Sequence, residues 1–304
     1  MRAVVAVTDN DWAAFLRDRP HLDEVNFWLP GTVGFGGSSG TIFLFKTHSS
    51  RRRGVADTMP PNRIIGGGVV SGYTRLRVSE AWRFFEEGNG VASEGDLLAA
   101  IHSHRSGQRE PDPEIGCVML HSVAFLTDAE ALPAPEDFAG PIVRWKNYVD
   151  SSYLDLVVPR VFVDAGTMVS GPVFGEPRLT VPRLGQEAFK SLVLTAYHRH
   201  CAITGAKITP TLQAAHIVPV HKGGQHRLDN GLLLRSDVHT LFDKGYLGVD
   251  HKLRLQVSRR LRDDFGNGAE FYGRAGSTID LPERRADRPS RDAVSWHMDE
   301  VFLH

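Results

Sequence analysis

The sequence has almost no cysteine. Cys117 and Cys201 are the only two in 304 residues, which excludes a disulfide scaffold and a four-thiolate zinc site. Long apolar runs are missing too. Stretches such as Ile42–Phe45 and Val118–Leu120 fall far short of the ~20 residues that a membrane-spanning helix needs. The opening MRAVVAVTDNDW carries one Arg and a short apolar stretch, then acids. It lacks the apolar core of ~7–15 residues and the cleavage site of a secretory leader. A cytoplasmic chain with no membrane partner is expected. No single sign of charge dominates either: the net charge is −1, which argues against a strongly basic nucleic-acid coat. Internal repeats, low-complexity tracts and coiled-coil heptads are absent.

What is present describes an ordinary globular protein, 41% hydrophobic and 23% charged. At ~100–200 residues per domain the length implies about two domains, each able to fold without a staple. The halves differ. From Gln186 onward there are 17 Lys and Arg against 14 Asp and Glu, and nine of the 14 histidines lie there. That surplus is too small for DNA binding by bulk electrostatics. The histidine skew points to local chemistry in the C-terminal part.

The pattern predicts an α+β fold. In the N-terminal part, Thr41–Lys46, Arg63–Tyr73, Ile115–Phe125 and Ile142–Tyr148 read as strands. Gly66–Gly68 inside the second marks a bulge or a close approach of another backbone or a ligand. Helices are expected at Ser79–Phe85 and Ser93–Ser103, each behind a Ser cap. Strands outnumber helices, so a small, partly closed β-barrel with packed helices is expected over residues 1–165. Residues 166–185, rich in Pro and Gly, read as a linker. The apolar run LDLVVPRVFV just before it fits either core. Residues 186–304 form the second domain.

That domain opens with a helix pattern at Gln186–His200. A strand at Leu212–Val220 follows, then a glycine-containing loop, a short strand at Asn230–Arg235 and a helix from Ser236 to about Lys244. His216 sits in the first strand, Asn230 at the turn into the second, and His239 on the helix. The motifs read AAHI (214–217), DNGLLL (229–234) and DVHTLFD (237–243), with nine residues from Asn230 to His239. In this order and spacing they resemble the HNH (ββα-metal) nuclease family, over roughly residues 186–264.

The resemblance implies DNA phosphodiester hydrolysis with a divalent ion, of which Mg, Mn, Ni, Co and Zn all suit mixed nitrogen and oxygen ligands. It implies His216 as general base and His239 as metal ligand. Elementary chemistry agrees, since the reaction needs a base for water and a cation for the phosphate. Asp243 lies four residues after His239, on the same helix face. Ligation of the ion and a salt bridge with Lys244 or an Arg are both open for it. Asn230 is expected to hold the loop and so orient His216. Many family members carry Asp or His before the base, where this chain has Ala215. A replacement ligand from Asp237, Asp229 or water stays open. The structural zinc pairs of many members are replaced by Cys201 with Thr204 and by Arg235 with Val238, so the core must rest on Leu232, Leu233, Leu234, Leu241 and Phe242. His221, His226 and His251 read as solvated loop residues, and Trp296 and His297 as helix packing residues.

Asn26–Pro30, TIFLFKTHSS and RIIGGGVVSGY resemble, more loosely, the PUA-like superfamily of SRA-type and EVE-type modified-base readers. With the nuclease motifs behind them, the whole chain resembles modification-dependent (type IV) restriction endonucleases. The resemblance implies recognition of double-stranded DNA carrying a modified base, which is flipped into an aromatic pocket. Phe27, Trp28, Phe45, Tyr73 and Trp82 are candidates for such a pocket, or core aromatics. Lys46, His48 and Arg51–Arg53 are candidates for phosphate contact, as are Arg259 and Arg260 in the second domain. One site of this type cuts one strand, so double-strand cleavage implies a homodimer or two binding events. Two other readings remain: an HNH nickase or nonspecific nuclease indifferent to modification, and a DNA-binding or modification-sensing protein whose nuclease domain is degenerate at Ala215.

Overall fold

A strand that is apolar on both faces organises the N-terminal half. In the computed structural model, which describes residues 1–48, 59–106, 109–138, 144–162 and 185–304, the chain divides into two units, Met1–Ala188 and Phe189–His304. The first contains β1 (Arg2–Val7), α1 (Asn10–Arg17), β2 (Glu24–Leu29), β3 (Ile42–Lys46), β4 (Arg63–Arg77), α2 (Val78–Phe85), α3 (Glu94–His104), β5 (Glu114–Phe125), β6 (Leu132–Pro133), β7 (Trp145–Val149) and α4 (Ser152–Phe162). Successive strand residues face opposite sides. Val4 and Ala6 of β1 join Phe43, Phe45, Trp12 and Leu16 in one core. Ala3 and Val5 join Leu44, Ile64, Leu154 and Val157 in another. Thus α1 packs in one core and α4 in the other, and the run LDLVVPRVFV belongs to this unit as a helix that tolerates Pro159.

The strands form one seven-stranded sheet in the order β2-β5-β4-β3-β1-β7, with β6 beside β4. Only β1 and β3 are parallel; the other pairs are antiparallel. No closed barrel is formed among the described residues, because the end strands β2 and β7 do not pair. The α2 helix begins at Val78, not behind a Ser cap: the Glu80 carboxylate accepts the Arg77 amide, while Ser79 is bonded to Asp112. Arg51–Arg53 and residues 166–184 of the expected linker lie outside the described residues.

The glycine run of β4 is a backbone matter. Gly66 faces Phe45 on one side and Phe125 on the other, and the β4–β5 register shifts twice between Gly67 and Gly72. A Cβ on Gly66 would lie 2.3 Å from the Ala124 carbonyl oxygen, and one on Gly67 2.8 Å from that of Phe43. These glycines let three strands approach closely at a bulge.

The second unit contains α5 (Gln186–Ala196, which opens at its border), β8 (Leu212–His216), β9 (Gly231–Arg235), α6 (Ser236–Asp243), β10 (Leu247–Val249), β11 (Leu255–Val257), α7 (Arg260–Phe265), α8 (Ala269–Tyr272) and α9 (Arg291–Glu300). The first helix stops four residues short of its expected end, because His198 and Arg199 are left-handed. Strand β8 ends at His216 rather than Val220, since the next peptides bond Asn230 instead of a strand. Leu232, Leu233, Leu234, Val238 and Phe242 are buried, and Leu241 is half-buried. His297 of α9 is 2% exposed. It stacks on Phe242 at 3.7 Å and donates from Nε2 to the Phe242 carbonyl at 3.0 Å.

Two stability predictions follow from these contacts. Gly66→Ala forces its new methyl against a backbone carbonyl and should cost about 1–3 kcal/mol in thermal or denaturant unfolding. Gly31→Ala, with no heavy atom within 4 Å, should cost far less, and equal losses would refute the close-approach account. Burial pushes the His297 imidazole down to about 4. Above pH ~6.5 both folded and unfolded forms are neutral there. As pH falls from ~6.5 toward 4 the unfolded chain takes up a proton that the folded chain refuses, so stability drops by up to about 3 kcal/mol. In His297→Phe the fall over that window should be smaller by about that amount; parallel curves for the two proteins would refute the assignment.

Candidate active site

The site grows from the end of β8. Strands β8 and β9 pair antiparallel, with His216 opposite Gly231, which places Asn230 at the mouth of the hairpin. Asn230 is 7% exposed. Its backbone carbonyl accepts the Ile217 amide at 2.9 Å. Its side-chain Oδ1 accepts the Val218 amide at 2.9 Å, and Nδ2 donates to the carbonyls of Val218 and Gln225, both at 3.0 Å. One amide side chain thus ties together both ends of the loop 218–225.

His216 projects beside that loop. Its ring stacks on Phe189 of α5, centroids 4.1 Å apart and planes 15° apart. Its Nε2 lies 3.0 Å from Nδ1 of His226. Burial, followed by the neighbouring His226, His239 and Lys190, holds the His216 pKa down at about 4. The ring is therefore neutral at pH 7, with a lone pair available. His226, expected as a solvated loop residue, is instead half-buried against this ring.

On α6, His239 and Asp243 face each other across one helical turn, Nε2 to Oδ2 at 3.4 Å. Burial raises the Asp243 pKa, and His239 opposes the rise. Asp243 pairs with His239 rather than with Lys244 or an Arg. The other ring nitrogen of His239, Nδ1, lies 2.8 Å from Gln213 Oε1 on β8. With that bond donated from Nδ1, the Nε2 lone pair points at a carboxylate, an arrangement completed by a cation. A second ring nitrogen tied to an oxygen acceptor is also the usual support of a metal-binding histidine. His216, His239 and Asp243 line one cavity of about 420 Å³ with His221, Lys222 and Trp296.

The substitute ligands weighed for Ala215 are engaged elsewhere. Asp237 pairs with Arg235 and Asp229 with Arg227, each through two hydrogen bonds. Ala215 itself is fully buried. Among the described residues no group of three His, Cys, Asp or Glu side chains is placed to hold a metal ion. Two donors, His239 and Asp243, remain. An imidazole nitrogen and a carboxylate oxygen fit a divalent ion that accepts mixed nitrogen and oxygen ligands, with water or phosphate oxygens completing its shell. Cys201 is buried and accepts the Thr204 amide on Sγ at 3.4 Å. Arg259 is exposed. Arg260 pairs with Asp264 at 3.3 Å.

The N-terminal candidates separate. Trp28, with Phe27, lines a cavity of about 480 Å³ together with Trp12, Trp145, Asp9 and His104. Trp28 Nε1 donates to the Asn89 carbonyl at 3.0 Å, and the Trp28 ring lies 5.9 Å from that of His104. Lys46 is 2% exposed, donates to the Thr47 carbonyl at 2.9 Å and lies over the Phe138 ring. It does not reach the surface where a phosphate would lie, because β3 turns it inward. Phe45 is core. Tyr73 lies outside the cavity lining and donates to the Val33 carbonyl at 3.0 Å.

Sequence reasoning missed Gln213 and His226, and in the other unit Asp9, His104 and Trp145. Gln213 is a polar side chain on the short strand that carries His216, and that polarity was the available signal. The others come from separate loops and element ends, where periodicity carries no information.

Comparison with known proteins gives two findings. Residues 201–250 match the HNH endonuclease family. Among solved structures the chain is similar to a modification-dependent restriction endonuclease, TagI. Identity is 14% and the TM-score 0.30, over 86% of this chain and 62% of that one. The chain thus spans less than two thirds of that protein's length. Nothing among curated proteins matches. The family match falls on the stretch from Cys201 through β10 that brings His216, Asn230, His239 and Asp243 together, and the C-terminal unit therefore contains an HNH endonuclease domain.

Proposed function

We propose that the protein is a divalent-metal-dependent DNA endonuclease that acts on modified DNA, with His216 as general base and His239 and Asp243 as metal ligands. The observation that carries the reading is the shared cavity in which a neutral, half-buried histidine faces a histidine–carboxylate pair, inside the matched HNH segment. His216 takes a proton from water, whose oxygen attacks phosphorus. The bond from phosphorus to the leaving oxygen breaks, and that oxygen takes a proton from solvent. His239 and Asp243 would hold a divalent ion, which would supply charge stabilisation on the phosphate and leaving oxygen. Gln213 keeps Nε2 of His239 turned toward Asp243, and Asn230 keeps the His216 loop in place.

The N-terminal unit is read as the recognition module, of PUA-like type. Its support is the aromatic cavity. Residues of β2 line it from one end of the sheet, while Val7 of β1 and Trp145 of β7 line it from the other. The sheet therefore curls toward itself without pairing its ends. A volume of about 480 Å³ lies in the range of small-molecule pockets. Trp28 and Trp145 offer aromatic faces and the Asp9 carboxylate an acceptor, a combination suited to a heterocycle with an amino edge. Asp9 lies 3.9 Å from His104 Nε2.

Cleavage of matched plasmids tests both halves. One is unmodified; the others carry methylated, hydroxymethylated or glucosylated bases, and each is run with Mg, Mn, Ni or Co. His216→Ala should lower cleavage by about 10²–10⁴-fold with DNA binding retained, and full activity in that variant would refute the base assignment. The wild type should cut a modified plasmid and spare the unmodified one. Trp28→Ala should erase that discrimination while leaving basal hydrolysis intact. Equal cleavage of all plasmids by the wild type would overturn the modification reading and leave the nuclease standing.

A further inference from the structure

We propose that His226 is a positioning residue for the base: it accepts a hydrogen bond from His216 and holds that imidazole in the tautomer whose Nδ1 carries the free lone pair. The inference rests on His216 being the general base.

The two rings meet nitrogen to nitrogen, His216 Nε2 to His226 Nδ1 at 3.0 Å. Only one proton fits between them. If His226 donated it, the neutral His216 would carry its own proton on Nδ1 and offer no lone pair away from the contact. If His216 donates it, Nδ1 is the open position, and among the described residues nothing else bonds that ring. The contact is held from three sides. Phe189 stacks on His216 and lies 5.7 Å from the His226 ring. The Gln225 carbonyl, one residue before His226, is bonded by Asn230 Nδ2. Strand β8 fixes the His216 backbone through its pairing with Gly231.

The proton balance follows. The proton that leaves water goes to His216 Nδ1. The Nε2 proton stays between the two histidines, and the resulting imidazolium donates it to a neutral acceptor. His216 otherwise shares its cavity with His239 and Asp243, and Lys190 is a further neighbour. His226 Nδ1, 3.0 Å away, is the acceptor within reach of that proton.

The test uses the full chain and a DNA substrate that it cuts. Loss of an orienting group that acts through the base should fall on kcat, so His226→Leu should lower kcat by about 10–100-fold with KM unchanged, within the range general-base positioning supplies. His226→Asn, whose side-chain oxygen can accept near the place of Nδ1, should recover most of that loss. Nitrogen-15 NMR of the ring should show His216 protonated on Nε2 in the wild type and a mixed tautomer in His226→Leu. A wild-type His216 protonated on Nδ1 overturns the proposal, and this reading stands even if the leucine variant fails to fold. Equal kcat for wild type and His226→Leu overturns it as well. Full activity in His216→Ala would instead strike the base assignment, so the two failures are distinguishable.

Discussion

The candidate active site depends on one amide. Asn230 bonds the peptide after His216 through its backbone and the next peptide through its side chain, and it reaches Gln225 at the far end of the same loop. A buried amide with a donor and an acceptor at one tip is the side chain suited to this, because the loop presents an N–H and two carbonyls to it. Without those bonds, part-buried backbone groups of the loop would lose their protein partners, at about 0.5–1.5 kcal/mol per bond. The chain therefore leaves β8 in one direction only. That direction sets His216 against Phe189 and returns the loop so that His226 meets the His216 ring.

The helix supplies the complementary half by a different principle. An α-helix repeats its face every three or four residues, so His239 and Asp243 meet with no help from the loop. The shared edge of the hairpin then decides what surrounds them. Gln213 on β8 reaches the ring nitrogen of His239 that Asp243 does not face. Hairpin and helix each contribute one part of a site that neither holds alone, and Val238 and Phe242, on the buried side of α6, press the helix into the core.

Much of this was legible from the sequence because the relevant spacings are local. The residues AAHI, DNGLLL and DVHTLFD fix the order strand, strand, helix and put Asn230 at the turn. The hydrogen bonds of Asn230 and the meeting of His239 with Asp243 follow from turn chemistry and helical periodicity. What was not legible depends on chain returning from afar. His226 sits in a loop with no period, and its contact with His216 exists only because Asn230 closes that loop. In the N-terminal unit β3, β4, β5 and β7 were readable from Ile, Val and Phe, whereas β1, β2 and β6 were not read as strands and closure was not legible. Whether a sheet joins its own edges is set by register shifts such as those between Gly67 and Gly72, and by helices that cover both faces. Lys46 shows the same limit. A lysine beside an apolar strand reads as a surface contact, but strand alternation and the Phe138 ring carry it inward.

The shortage of protein ligands bears on how such a site would discriminate. With Ala215 in the core and Asp229 and Asp237 engaged by arginines, the proposed ion has one imidazole and one carboxylate from the protein. A divalent ion with so few protein ligands is completed by water or by substrate phosphate oxygens. A two-donor site of this kind binds the ion weakly alone and more tightly once a phosphate lies beside it, since each partner raises the other's affinity by the same factor. The ion and the DNA are then linked ligands. The same positions that look like losses beside a fuller ligand set make the complete site a property of the enzyme with its substrate.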